Sequence, residues 1–329
     1  MSSIMKKLSF VIPCYGSEHT IEGVIDEINS TVSKKRDEYI HEIICVNDCS
    51  PDNVLGVLRK LVKSQPNLKV INLARNSGKH AAVMAGYSFV TGDIVVNLDD
   101  DGQCPMDRLW EMVELLESGH DFVTANYNVK RQSKFKNFGS DVNNLMTRIL
   151  FEKPKNLRFE NFSVAKRFVV NEILHYRNPY PFLEGLYLRT TQNIATVKMD
   201  ERERFEGVGG FTLKKSLSLW LNGFTAFSIK PLRIATVLGF LVATIGFLYA
   251  IVLIIQFFVR GLLPGFASLM VTTLVIGGLI MILLGLIGEY VGRIYISINN
   301  APQYVIREIL ENTCEQREDG AKSVEKNTN

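Results

Sequence analysis

Two stretches in the C-terminal third limit what this chain can become. Ile234–Val259 and Ala267–Ile287 carry no charged residue. Each reaches or exceeds the ~20 residues that a helix needs to span a bilayer. Arg260–Phe266, with Gly261 and Pro264, breaks them apart. Two adjacent runs of this length are hard to cover as a buried hairpin in a chain of 329 residues. They are therefore expected to be two transmembrane helices. An even number of spans returns the C-terminus to the side of the N-terminus. Lys214, Lys215, Lys230 and Arg233 precede the first run, Arg293 and Arg307 follow the second, and only Arg260 lies between. That bias places both termini inside. The expected location is the plasma (inner) membrane, multi-pass, with the N-terminal domain and both termini cytoplasmic.

Upstream of about Ile229 the chain reads like a soluble protein. Its N-terminus, MSSIMKKLSF, enters a strand pattern with no apolar signal core. Short β-rich runs alternate with helical spacing. Strands are expected at Leu8–Pro13, Glu42–Val46, Leu68–Asn72, Asp93–Leu98 and Phe122–Ala125. Helices are expected at Thr20–Ser33, after Pro51, at Gly78–Val90 and at Met106–Ser118. This order predicts an α/β fold whose mostly parallel, Rossmann-like sheet carries helices on both faces. Ligands of such sheets sit beyond the carboxyl ends of the strands. From Arg131 to Arg204 the pattern is less regular, with helical spacing at Val142–Phe151 and Phe168–Tyr176 and a short strand at Asn193–Val197. Phe211–Leu221 sets Leu213, Leu217 and Trp220 opposite Lys214 and Lys215. It suits either an amphipathic helix in the membrane interface or a helix packed on the main domain. Four regions result: a catalytic domain at 1–210, an interfacial helix at 211–230, a two-helix membrane domain at 231–296, and a cytoplasmic C-terminal tail at 297–329 that is polar and disordered from Cys314 onward.

The strand ends carry the chemistry. Pro13-Cys14-Tyr15 closes the first strand, Asn47-Asp48-Cys49-Ser50 the second, and Asp99-Asp100-Asp101-Gly102-Gln103 the fourth. Asp99 and Asp101, one residue apart, can close on one hard cation, and Gln103 can add an amide oxygen. Mg²⁺ or Mn²⁺ favours such ligands and would bridge a diphosphate. Its role would be to offset charge on a departing nucleotide diphosphate. Asp48 suits a hydrogen bond from a nucleobase donor or, alternatively, a helix N-cap, for which Ser50 also serves. His80, in the Gly-containing loop Arg75–His80, is either a diphosphate contact or a surface histidine. The five cysteines, Cys14, Cys45, Cys49, Cys104 and Cys314, show no CxxC pairing and suit a reduced compartment. Cys45 and Cys49 lack partners for a zinc site. The net charge of +3 gives no sign of nucleic-acid binding, and no G-x-G-x-x-G follows the first strand, which argues against a dinucleotide-dependent oxidoreductase.

VIPCY, VNDCSPD, LARNSGKHAAVMAG and NLDDDGQCP, in this order and spacing, resemble the family 2 glycosyltransferases. Within them, the polyprenyl-phosphate glycosyltransferases are most similar, and the likeness runs to GLIGEYVGRIY at Gly285–Tyr295. The resemblance implies a GT-A catalytic domain, a nucleotide sugar (a UDP-sugar is favoured) and a polyprenyl phosphate acceptor. It places Pro13 and Tyr15 in the first nucleotide loop, Asp48 on the nucleobase, Asp100 on the nucleotide sugar, and Asp99, Asp101 and Gln103 on the metal. It places Arg204, with Lys130 or Arg131, on the acceptor phosphate; Asp101 and Arg204 would be the catalytic pair. There are departures. Gly16-Ser17-Glu18 replaces the usual Asn-Glu, with Glu18 as the stand-in acid. Asn47-Asp48 replaces Asp-Asp, and Gly209-Gly210 replaces a Ser-Lys, with Lys214 or Lys215 available to supply the charge. The reaction implied is a single inverting displacement. A lipid phosphate is already anionic at pH 7 and needs no general base, whereas a sugar hydroxyl would. Two other readings stand beside it: transfer to a sugar hydroxyl of a cell-surface glycan, although the chain lacks a QxxRW-type segment, and a catalytically inactive nucleotide-binding membrane scaffold. Gly277, Gly278 and Gly285 allow close helix approach and hence a homo-oligomer.

Overall fold

In a computed structural model of the chain, the described residues are 5–127, 157, 159–202, 230–260, 265–299 and 301–312. They divide into two units, Met1–Thr212 with Pro302–Asn329, and Leu213–Ala301. Lys130, Arg131, Arg204, Lys214 and Lys215, the segment at 211–221, the helix expected at Val142–Phe151 and the tail from Cys314 lie outside the described residues.

The first unit is built on β1 (Lys6–Cys14), α1 (Ile21–Ser33), β2 (Tyr39–Asn47), α2 (Val54–Ser64), β3 (Leu68–Leu73), α3 (Lys79–Tyr87) and β4 (Ile94–Asn97). A 3₁₀ turn at Met106–Arg108 then leads into α4 (Leu109–Glu117). β5 (Phe122–Tyr127), β6 (Ser163–Lys166), α5 (Arg167–Leu174), α6 (Leu183–Thr190) and β7 (Ile194–Met199) complete the run. After the second unit the chain returns as β8 (Ile306–Leu310). The eight strands form one sheet in the order β7-β5-β6-β4-β1-β2-β3-β8. β3, β2, β1 and β4 run parallel, whereas β6 pairs antiparallel with both β4 and β5, and β8 antiparallel with β3. The sheet is therefore parallel at its centre and mixed toward its edges.

Alternation along the strands explains the layers. Leu8, Phe10 and Ile12 of β1 join one core with Ile21, Val24, Ile25 and Ile28 of α1, Leu58 of α2 and Leu109 and Met112 of α4. Val11 points to the opposite face, where α3 lies against it. A Cβ on Gly86 would come within 2.4 Å of Val11 Cγ1, so only glycine permits that approach. Residues Ala81–Tyr87 are all buried, which is why α3 shows no polar stripe.

Three details differ from the sequence expectation. Helix α2 begins at Val54 behind Asn53, not at Pro51, because Asp52 and Glu18 supply the acceptors for the N–H groups of Val54 and Asn53. The helix expected at Met106–Ser118 starts with a 3₁₀ turn. Residues 306–310, within the expected tail, form an edge strand; its sequence, IREIL, alternates intermediate and exposed positions and lacks the long apolar run of a buried strand.

The second unit consists of α7 (Lys230–Arg260) and α8 (Phe266–Ile298). Among the described residues one helical stretch, Val275–Gly292, is long and apolar enough to cross a membrane; its mean hydropathy is 2.0 and none of it is buried. Ala235–Tyr249 is a shorter apolar stretch. Two spans were expected, and one meets the criterion of length and composition.

Candidate active site

The turns that follow β1, β2, β3 and β4 meet at the carboxyl rim of the parallel strands, and three acids tie them together. Asp100 accepts the Tyr15 N–H at 2.9 Å, and its backbone carbonyl accepts the Thr20 hydroxyl at 2.6 Å. Burial pushes the Asp100 carboxyl up to about 6, helped by the neighbouring Asp99 charge and opposed by the Tyr15 N–H. Asp48 accepts the N–H groups of Ser77 at 2.6 Å and Gly78 at 2.9 Å. Gly78, at φ +86°, then turns the chain from this clamp into α3 through a positive-φ conformation that glycine adopts without steric cost. Burial raises the Asp48 carboxyl, and the two N–H bonds oppose that rise. Asp99 accepts hydrogen bonds from the Lys79 ammonium and, at 2.7 Å, from the Asn161 amide. Asp101 accepts the Gln103 N–H at 3.1 Å.

The first loop is also held from below. Gly16 N–H donates to the Ser50 hydroxyl at 2.8 Å, and Ser50 donates to Asp52 at 2.6 Å. Tyr15 is half exposed above this loop, and Pro13 is buried in β1. The expected residues Pro13, Tyr15, Asp48, Asp99, Asp100, Asp101 and Gln103 thus all sit at strand ends on one rim.

The structure gives Asp48, Glu18, Gln103 and His80 surroundings that the sequence did not show. Asp48 caps no part of α2; it clamps the loop after β3 instead. Glu18 accepts the Asn53 N–H at 3.0 Å at the start of α2, which gives it a local structural use. The Gln103 amide donates to the Arg202 carbonyl at 3.1 Å, and the Arg202 N–H returns a bond to the Gln103 carbonyl. Arg202 itself binds Glu27 at 2.6 Å and Asp107. His80 is half-buried rather than exposed. Its Nδ1 is buried without a hydrogen-bond partner, its ring packs edge-on against Phe182, and burial, then the Lys79 charge, lowers it to about 4.

Lys79 and Asn161 were missed by sequence reasoning as site residues. Lys79 lies inside the quoted LARNSGKH segment, where a basic residue after Ser-Gly was the available signal. Asn161 had no signal, because the sequence pattern before β6 is less regular and that strand was not foreseen. Cys14, Cys45 and Cys104 are buried and Cys49 is exposed; all are free thiols, and Cys45 and Cys49 form no metal site.

No group of three or more His, Cys, Asp or Glu side chains is arranged to hold a metal among the described residues. Asp99, Asp101 and Gln103, the residues expected to hold a cation, would offer it oxygen donors only. Each oxygen of Asp99 carries one hydrogen bond in the described contacts and has a second lone pair. That set fits a hard cation which takes its remaining ligands from a diphosphate and water.

Residues 9–173 match the family described as "Glycosyl transferase family 2", and residues 230–294 match the "GtrB C-terminal hairpin". Among curated relatives, the chain is 33% identical over 309 residues to the uncharacterized glycosyltransferase sll0501 of Synechocystis sp., covering 92% of this chain and 95% of the relative. It is 31% identical over 304 residues to the uncharacterized glycosyltransferase YkcC of Bacillus subtilis (91% and 93%). It is also 31% identical over 309 residues to the bactoprenol glucosyl transferase of Shigella phage SfII (92% and 97%). Among solved structures, glucosyl-3-phosphoglycerate synthase from Mycobacterium tuberculosis, crystallised with Mn²⁺, uridine diphosphate and glucosyl-3-phosphoglycerate, shares the fold with a TM-score of 0.50. That likeness has 18% identity and covers 67% of this chain and 78% of that one. The chain belongs to glycosyl transferase family 2. It is a glycosyltransferase with a mixed α/β, GT-A-like sheet.

Proposed function

We propose that this glycosyltransferase transfers a sugar, with inversion, from a nucleotide diphosphate sugar to polyprenyl phosphate at the cytoplasmic face of the membrane. The observation that carries the reading is the convergence of Asp48, Asp99 and Asp100 on one sheet rim, in a chain whose second unit holds an apolar helical stretch of spanning length with no buried residue. A UDP-sugar is the favoured donor; the fold relative crystallised with uridine diphosphate and Mn²⁺ and the relatives named bactoprenol glucosyl transferases support it.

In this reading Tyr15, beside Pro13, and Asp48 border the nucleoside, with Glu18 at the edge of the same loop. Asp48 retains lone pairs for a base donor while clamping Ser77 and Gly78. Asp99, Asp101 and Gln103 hold Mg²⁺ or Mn²⁺. That cation would offset the charge developing on the departing diphosphate. Lys79, bound to Asp99, places a further cation at the rim. Asp100, fixed by the Tyr15 N–H, faces the nucleotide sugar. Arg204, with Lys130 or Arg131, holds the acceptor phosphate by charge-assisted bonds. The acceptor anion attacks the anomeric carbon directly, so no protein base is required. Residues 211–230 lie in the membrane interface, and 231–296 form two spans that leave both termini in the cytoplasm, with close packing of a second copy through Gly277, Gly278 and Gly285.

The test is the product. The full chain is supplied with Mn²⁺, short-chain polyprenyl phosphate and a panel of radiolabelled nucleotide sugars. The expected product is an organic-extractable labelled lipid. Label confined to a water-soluble glycan would replace the lipid acceptor with a sugar hydroxyl. Nucleotide binding without any transfer would point to a scaffold.

A further inference from the structure

A chain of side-chain hydrogen bonds crosses the sheet from the nucleotide loops to β8. Ser50 N–H donates to Asn47 Oδ1 at 3.1 Å. Asn47 Nδ2 donates to Asn72 Oδ1 at 2.9 Å, and Asn72 Nδ2 donates to Glu308 Oε1 at 2.8 Å. Arg59 donates to the same Glu308 oxygen at 2.5 Å. Asn47 and Asn72 are 3% and 4% exposed, so each depends on these partners. The relay links β2, β3 and β8, and its first bond closes the turn around Cys49. That residue sits at φ +52°, a left-handed conformation that a non-glycine residue adopts at a cost. The same turn presents the Ser50 hydroxyl to Gly16 and the Asp48 carboxylate to Ser77 and Gly78.

The direction of the relay is set at its far end. Glu308 carries a charge and can only accept, so Asn72 must turn its amide nitrogen toward β8 and its oxygen toward Asn47. A side chain that donates is then required at position 47. This accounts for an amide standing where the resemblance leads one to expect a carboxylate. An aspartate there would face the Asn72 oxygen; flipping Asn72 would move the conflict to Glu308.

We propose that Glu308 is a positioning residue of the nucleotide site: through Asn72 and Asn47 it holds the Asn47–Ser50 turn, so that the strand following the membrane hairpin sets the nucleotide affinity. Further bonds dock the same segment along β3 and the loop behind it. Ala74 N–H donates to the Val305 carbonyl at 2.8 Å, and Arg75 donates to the Pro302 carbonyl at 3.3 Å. The proposal rests on the functional reading above, which makes the rim a nucleotide site.

The relay can be reversed on paper. In an Asn47→Asp, Glu308→Gln pair, Asp accepts from a flipped Asn72, Asn72 accepts from the glutamine amide, and the glutamine oxygen accepts from Arg59. Every group is satisfied again. The experiment uses the full chain in detergent with Mn²⁺. It measures the dissociation constants of UDP and GDP and the thermal midpoint for wild type, both single variants and the pair. Asn47→Asp is expected to weaken the tighter nucleotide about tenfold, the effect of one unsatisfied buried acceptor. Glu308→Gln, which can still accept from both neighbours, is expected to change it about twofold or less. The pair is expected to return to within about threefold of wild type. A pair no better than Asn47→Asp, in folding or in binding, overturns the proposal. So does recovery of the midpoint with nucleotide affinity unchanged in all four proteins, because the relay would then be structural only. Failure of the wild type to bind either nucleotide would overturn the functional reading, and it would show before any variant was made.

Discussion

The two units treat apolar side chains in opposite ways. In the first, Phe10, Ile12, Ile25 and Leu58 are fully buried between sheet and helices. In the second, Phe240, Phe258, Val259 and Ile298 are each 72–81% exposed. The first unit satisfies the hydrophobic effect by folding on itself. The second leaves its apolar surface uncovered, which monomeric soluble proteins rarely do on this scale. On the proposed reading the first unit is a water-facing catalyst and the second its lipid-facing anchor; helices suit the second role because they close their backbone hydrogen bonds within themselves. The chemistry sits in the first unit, where burial perturbs carboxylates; the second has no acidic cluster to perturb.

That contrast predicts separable effects. Asp101→Ala should reduce turnover by on the order of 10³-fold or more, the several kcal/mol that metal stabilisation of the leaving group supplies. The protein should still fractionate with membranes. Near-normal lipid-product formation would refute the metal assignment. Leu284→Arg, in the exposed apolar helix, should do the reverse. Charge at a helix centre costs about 2.5–3.5 kcal/mol of insertion, so the membrane-bound fraction should fall while nucleotide affinity of the recovered protein holds. Gly86→Val should destabilise the first unit alone, by about 1–3 kcal/mol from overpacking against Val11; a thermal melt followed by a probe in that unit would detect it. Lys79→Ala should weaken nucleotide binding by up to about tenfold, and less at high salt, since the Lys79–Asp99 pair is partly exposed.

The effect that is smallest near pH 7 concerns proton binding. His80 is lowered by burial to about 4 in the folded protein, against an ordinary value of 6.5. The unfolded chain therefore binds a proton that the folded one refuses between those values. Stability from this group is complete above about pH 6.5 and is lost as pH falls toward 4. His80→Phe should remove a slope of at most about one proton in that window. Comparing variant with wild type separates it from carboxyls such as Asp100, which act in the opposite sense. Equal slopes in denaturant melts between pH 4 and 6.5 would show that His80 titrates normally.

Much of the central sheet was legible. The apolar runs within Leu8–Pro13, Glu42–Val46 and Asp93–Leu98 favour burial, and the acids that follow the second and fourth strands, Asp48 and Asp99–Asp101, fall at the rim that the β-α-β order implies. The antiparallel strands were not legible. β6 is four residues long and β8 is half exposed, so neither carries a strong period. The partners of the acids were hidden as well. Asp48 looked like a free ligand or a cap, and only the approach of the Ser77–Gly78 loop explains where its lone pairs point.

Composition and pattern along the chain settled which segments face water, which are uncharged enough for lipid, and where carboxylates stand relative to strands. These follow from local periodicity and from the cost of burying charge. Folding decided what those carboxylates touch: Lys79 and Asn161 for Asp99, the Tyr15 N–H for Asp100, and a C-terminal strand wired through two asparagines to the turn after β2. Such pairings join residues up to 236 positions apart. No local rule specifies them, because they arise only when the sheet brings distant strand ends to a common edge.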